Sequence, residues 1–147
     1  MIQELAHARL TVGIMAVGTT EGAIENTISY TKRRNALRAL FLNFKNTQFK
    51  LAERTTQLQI YQAFLDRCIE LLIDYKLTTE STSMIKYLAT DMCEKVVDEC
   101  LQLYGGYGYK WHYPIARKYV DNCVARIYAG TNEIMKIVIA RGLLKDL

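Results

Sequence analysis

The side chains able to do chemistry in this chain fall into a few groups, and several reaction types drop out at once. His7 and His112 stand alone, with no nucleophile or metal ligand at useful spacing, and take surface or packing roles. Cys68, Cys93, Cys100 and Cys123 form no C-x-x-C pair and have no histidine at ligand spacing. No metal site is expected, and the thiols read as reduced, mostly buried groups of a cytoplasmic-type protein. Arg33, Arg34 and Arg38 cluster without interleaved aromatic side chains. Such a cluster solvates a helix end or meets a phosphate, and with a net charge of only +4 nucleic acid is not an expected partner. Gly105, Gly106 and Gly108 crowd into one short stretch, flanked by tyrosines.

The elements that position these residues read as helices. The chain has 147 residues, enough for one domain with its own core. It has a single proline, and good helix formers outnumber β-branched residues. A first helix is predicted from about Ile2 to Lys32, with Leu10, Ile14, Val17, Ala23, Ile24 and Ile28 near helical spacing. Gly13 and Gly18, with Ala16 and Ala23, suggest close approach by a neighbouring helix or a ligand. A second helix, about Phe44 to Tyr75, repeats Leu51, Leu58, Leu65 and Leu72 every seventh residue, with Tyr61, Phe64 and Cys68 on the same side.

The polar segment from Leu77 to Ser83 supplies a turn and capping hydroxyls. A third helix then runs to about Tyr104, with Met84, Tyr87, Leu88, Val96 and Cys100 as its core, and Gly105 and Gly106 stop it. Pro114 suits the first turn of a short helix ending near Arg126; Gly130 breaks the chain, and Thr131 caps a last helix to about Leu144. The expectation is an all-α fold, a four-helix up-and-down bundle forming one domain over residues 1–147. The apolar run from Leu10 to Gly18 is too short to span a bilayer and continues a helical pattern, so neither a signal peptide nor a membrane span is read there.

Four ordered landmarks carry a family resemblance. They are Gln102-Leu-Tyr-Gly-Gly-Tyr-Gly-Tyr109; Tyr113-Pro114 with Arg117 and Asp121; Ile127-Tyr-Ala-Gly-Thr-Asn-Glu-Ile134; and Arg141. Upstream, Tyr30 with Arg34, and Phe49-Lys-Leu-Ala-Glu53, fit the same order. The whole chain resembles the C-terminal helical domain of the acyl-CoA dehydrogenases. That resemblance implies an FAD cofactor, an acyl-CoA substrate desaturated between its alpha and beta carbons, and a homo-oligomer, dimer or tetramer. It also implies N-terminal helical and central β domains that are absent from this chain. Carried over residue by residue, it puts Gln102, Gly105 and Gly106 against the flavin of a partner subunit. Thr131 and Glu133 would lie near the subunit's own flavin, and Arg34 would pair with pyrophosphate, where a guanidinium fork fits. Glycines at such a turn let the backbone approach a dinucleotide.

The departures concentrate where the chemistry would occur. In the family a glutamate takes the alpha proton while hydride leaves the beta carbon, a task suited to a desolvated carboxylate. The two places that resemblance assigns to that glutamate hold Ala8, before Arg9, and Ala129. Glu4 lies one turn before Ala8 on the same face, displaced by several ångströms at about 1.5 Å per residue. Arg38 stands where the family has a turn glycine, Leu37 where it has an aromatic ring, and Lys45 where it has glutamine. Three readings stay open: a domain of a dehydrogenase not competent alone, a non-catalytic oligomerisation or interaction module, and a flavoprotein relative with changed chemistry. The expected compartment is the cytoplasm, or the mitochondrial matrix if a region outside this chain carried targeting.

Overall fold

The computed structural model describes residues 2–144, so Met1 and Lys145 to Leu147 of the expected domain lie outside the described residues. Five helices account for most of it: α1 (Ile2–Thr31), α2 (Lys45–Ile73), α3 (Thr79–Tyr104), α4 (Pro114–Cys123) and α5 (Asn132–Leu143). Their directions follow from which ends meet. Near their N-termini, Arg9 of α1 donates to Ser83 of α3, and near their C-termini the Tyr30 hydroxyl donates to the Tyr104 carbonyl. The two are therefore parallel. Arg54, early in α2, pairs with Glu99, late in α3, so α2 runs the opposite way. Tyr113 packs edge-on to Tyr104, Arg126 pairs with Asp91, and Gly142 lies against Glu80. Thus α4 and α5, in series, return along α3 as one broken fourth leg. The bundle is up-and-down, and the break in that leg contains Ala129.

Local sequence explains each boundary. The Thr78 hydroxyl accepts from the Ser81 amide at 3.1 Å and starts α3; Pro114 occupies the first turn of α4. Gly105, at φ +59°, ends α3 in a backbone conformation that costs glycine little. The core lies between α1 and α3, with Leu10, Val17, Ala23 and Ile24 against Ile85, Ala89, Met92, Cys93, Val96 and Cys100. Each large aliphatic chain buried there contributes about 1.5–3 kcal/mol. Gly13 permits the close approach, since a Cβ on it would stand 3.2 Å from the Ile85 side chain. Thr20, Thr27 and Thr31 are buried among these residues with each hydroxyl bonded to the carbonyl four residues earlier.

Three expectations need correction. Ile14 is 44 % exposed, because the stripe of α1 that meets α3 passes through Leu10, Val17 and Ile24 instead. Gly18 faces open space and approaches no helix. On α3, Met84, Tyr87 and Leu88 are only half-buried, because the inward face carries Ile85 and Ala89 together with the polar Thr82, Ser83, Lys86 and Thr90. Apolar residue type selected the wrong phase there.

Between α1 and α2, strands β1 (Asn35–Ala36) and β2 (Ala39–Leu40) form a hairpin whose two-residue loop is Leu37-Arg38. Both loop residues have positive φ, 50° and 65°, as a tight hairpin of right-handed twist demands. Neither is glycine or asparagine, and left-handed backbone costs other residues about 1–2 kcal/mol each. Arg38→Gly is therefore expected to stabilise the protein by about 0.5–1 kcal/mol after the entropy glycine adds to the unfolded chain. A higher urea midpoint at unchanged slope would show it; a lower midpoint would mean that Arg38 makes a favourable contact outweighing the strain.

Candidate functional site

The predicted site residues fall at two places, at opposite ends of α1. The first is built where α1 and α3 end. The Tyr30 and Tyr104 rings stack with centroids 3.9 Å apart, and Tyr113 meets both edge-on. This aromatic block holds Arg34, whose Nη1 donates to the Tyr30 hydroxyl and, at 2.8 Å, to the Tyr104 carbonyl. A cation at a helix C-terminus is favourable for the same reason that unpaired carbonyls there need donors. The Tyr107 ring centroid lies 5.4 Å from Arg34 Cζ, and Arg34 Nη2 is 3.9 Å from where a Cβ on Gly105 would be. Among the described residues only Nη1 is engaged, so the other edge of the fork is available. A Cβ on Gly106 would meet nothing within 4 Å.

Half-buried Arg34 thus sits beside an open glycine turn, with exposed Gln102 one turn back on α3. A guanidinium edge next to uncluttered backbone suits a phosphate, and the arrangement fits the pyrophosphate of a dinucleotide. Gln102 also borders a cavity of about 590 Å³ with Leu101, Gly108, Tyr109 and Trp111, the last two largely exposed.

The second place gathers around the break in the fourth leg. Ala129 (φ +55°) and Gly130 (φ +94°) are both in the left-handed region. Two cations from other helices hold their carbonyls. Arg9, 5 % exposed, reaches the Ala129 oxygen from Nε at 3.5 Å and Ser83 from Nη1 at 3.2 Å. Lys86, fully buried, donates at 2.8 Å to the Gly130 oxygen and at 2.8 Å to Asn132 Oδ1. Asn132 Nδ2 continues to Thr90 and Asp91, and Arg126 closes the network on Asp91. Burial pushes the Lys86 ammonium down to about 8, with Asp91 and Glu133 opposing the shift. Burial likewise lowers Arg9.

Ala8 immediately precedes Arg9 and is exposed, while the carbonyl of Ala129, the other alanine at a base position, meets the buried guanidinium. Thr131 and Glu133 join this second place as the start of α5. The Thr131 hydroxyl accepts from the Ile134 amide at 3.4 Å. The exposed Glu133 carboxyl is held below its usual range by its own backbone amide and then by the Thr131 hydroxyl.

Arg34, Gln102, Gly105 and Gly106 therefore converge at one end, and Ala8, Ala129, Thr131 and Glu133 at the other. Ala8 to Thr31 alone covers about 35 Å of helix. Sequence reasoning missed Lys86, Asn132 and the reach of Arg9. The signal was present as Thr82, Ser83, Lys86 and Thr90, polar residues three and four apart on the face where Ile85 and Ala89 are core. Among the described residues no group of His, Cys, Asp and Glu could hold a metal ion, and no helix is long and apolar enough to cross a membrane.

The fold is a helical domain, a broken four-leg bundle with an open glycine turn beside Arg34 at one end and a clamped left-handed turn at the other. The family description "Acyl-CoA dehydrogenase, C-terminal domain" matches residues 1–144, and the chain belongs to the acyl-CoA dehydrogenase family as that domain. It is 42% identical over 146 residues to the mitochondrial long-chain specific acyl-CoA dehydrogenase of Mus musculus, covering 99% of this chain and 34% of the relative. The crystal structure of an acyl-CoA dehydrogenase from Geobacillus kaustophilus superposes with a TM-score of 0.94 at 42% identity, over 97% of this chain and 37% of that one. A glutaryl-CoA dehydrogenase from Mycobacterium smegmatis, solved in complex with FADH2, superposes at 0.94 with 25% identity, over 98% of this chain and 37% of its own. The chain thus spans little more than a third of the length of these relatives.

Proposed function

We propose that this chain is the helical wall of an FAD- and acyl-CoA-binding flavoprotein that works as a homo-oligomer and, as it stands, lacks the base for alpha-proton abstraction. The observation that carries the reading is the separation of the site residues into two groups. One copy offers Arg34, Gln102, Gly105 and Gly106 to a cofactor at one end, and Thr131 and Glu133 to another at the far end. A single cofactor does not need both ends of α1, but two copies side by side use both. Exposed Ile127, Ile134 and Ile137 along the broken leg supply apolar surface for the flanking domains or a second copy. FAD, when bound, accepts the hydride from the beta carbon. The chain's own residues supply cations and backbone donors for the phosphates and the clamped turn beside the reacting carbons. The mitochondrial relative favours the matrix over the cytoplasm as the compartment.

A second reading, acyl-CoA binding without desaturation, is favoured by the pair Ala8 and Ala129. Both readings expect no bleaching of bound flavin by acyl-CoA in the unaltered chain; bleaching restored in Ala8→Glu favours the first, and none in that variant favours the second. Flavin absorbance with no bleaching is the expected result, and bleaching at a rate unaffected by pH or by Ala8→Glu would show that another base acts. Arg34→Ala is expected to weaken flavin binding about tenfold to a hundredfold, the loss of one charge-assisted contact, while size-exclusion mass stays unchanged. Unchanged flavin affinity in that variant would remove Arg34 from the cofactor site.

A further inference from the structure

The hairpin of β1 and β2 rises directly from Arg34. The Phe41 amide donates to the Arg34 carbonyl at 2.8 Å, and Arg34 Cζ lies 5.7 Å from the Phe41 ring centroid. Asn35 then pairs with Leu40, and Ala36 with Ala39. Cross-strand partners share a face and successive pairs alternate, so Ala36 and Ala39 lie on the face of Arg34 and Phe41. Burial agrees: the two alanines are half-buried, while Asn35 and Leu40 are exposed. Small side chains thus leave a low floor between Arg34 and the tip at Leu37-Arg38, a span of about 10 Å at the rise of a strand.

Two features of the tip are left over once the fold is accounted for. Arg38 is exposed at φ 65° and makes no hydrogen bond, ion pair or ring contact among the described residues. No contact of its side chain offsets the strain of its backbone, and uncompensated strain in a non-glycine residue points to function. The charge around it also has a single sign. Residues 26–52 hold six cations, Lys32, Arg33, Arg34, Arg38, Lys45 and Lys50, and no aspartate or glutamate. The whole chain carries only +4, so the rest is net negative and the positive field is concentrated here.

We infer that Arg38 is a second phosphate-binding cation, meeting a dinucleotide that is held by Arg34 and runs over Ala36 and Ala39 toward the hairpin tip. The inference deepens the FAD reading above and rests on it. A single free guanidinium edge at Arg34 serves one phosphate well, whereas a pyrophosphate brings two. Two long arginine side chains, one at each end of the alanine floor, close on such an anion from both sides. The strained turn is then what it costs to present a guanidinium where glycine would turn the chain more easily. Arg38 binds cofactor in this scheme and takes no part in proton or hydride transfer.

The test titrates the flavin-free protein with FAD, and with riboflavin, which lacks the phosphates, following flavin fluorescence at low and at high salt. Arg38→Gly and Arg38→Gln are each expected to weaken FAD binding about threefold to tenfold at low salt, and less at high salt. Riboflavin affinity should not change, and Arg38→Lys, which keeps the charge, should recover most of the affinity for FAD. Because Arg38→Gly is also expected to raise the urea midpoint of the flavin-free protein, weaker binding in that variant does not come from a damaged fold. Unchanged FAD affinity in both uncharged variants overturns the inference, as does a parallel loss of riboflavin affinity. The FAD reading then stands if Arg34→Ala still weakens FAD binding. No FAD binding by the unaltered protein overturns both.

Discussion

Ala8→Glu is expected to raise the rate of flavin reduction by acyl-CoA about 10²- to 10⁴-fold, the usual worth of a positioned general base. Ala129→Glu should raise it far less. Ala8 precedes Arg9 in the chain and the Ala129 carbonyl meets the Arg9 guanidinium, so the two positions are separated by their surroundings. Ala8 is in regular helix and turned away from Arg9, as consecutive helical residues must be. A carboxylate there projects from an exposed position of α1. At position 129 the carboxylate would lie beside the buried Arg9 guanidinium, which has no acidic partner among the described residues. An adjacent unpaired cation lowers a carboxyl pKa and weakens it as a base. Stopped-flow absorbance of the bound flavin, read for both variants under identical conditions, decides the matter. Equal gains would remove Arg9 from the argument, and no gain at either position would favour the non-catalytic reading.

The helices and their ends were legible because capping hydroxyls, Pro114 and the glycine stops act locally, and the heptad leucines of α2 announce a buried face on their own. What the sequence concealed was phase and distance. Ile14 looks inward on residue type alone, while the inward face of α3 is partly polar, and no local rule converts a lysine into a core residue. Lys86 becomes intelligible only when Gly130 and Asn132, more than forty positions away, are placed against it. The candidate site residues were singled out through family resemblance, which also assigned them to the flavins of two subunits. Their placing at two ends of α1 was not legible, because motif order along the chain does not say which residues the fold brings together. Arg9 shows the same limit. Its neighbour Ala8 drew attention as an absent base, yet the arginine itself joins that position to Ala129.

Lys86→Met is expected to destabilise the protein by about 2–4 kcal/mol near neutral pH. Methionine matches the lysine stem in volume, so little cavity forms. The Gly130 carbonyl loses its donor, and Asn132 Oδ1 keeps only the 3.3 Å contact from Thr90. Each buried acceptor left unpaired costs about 1–3 kcal/mol, and release from burying a charge offsets part of the sum. The pH dependence identifies the lysine as the cause. Burial depresses Lys86 to about 8 in the folded chain, against about 10.4 when unfolded. Between these values the unfolded chain binds the extra proton, so the contribution of Lys86 to stability rises with pH, by up to about 1.4 kcal/mol per unit. Below pH 8 both states are protonated and the burial penalty is present in full. Urea unfolding at several pH values from 7.5 to 10 should therefore show the protein gaining stability relative to Lys86→Met as pH rises. A constant difference across that window would place the Lys86 ammonium near its ordinary value. The turn at Ala129 and Gly130 would then be held by a full positive charge throughout, and loosening of that turn at alkaline pH would need another cause.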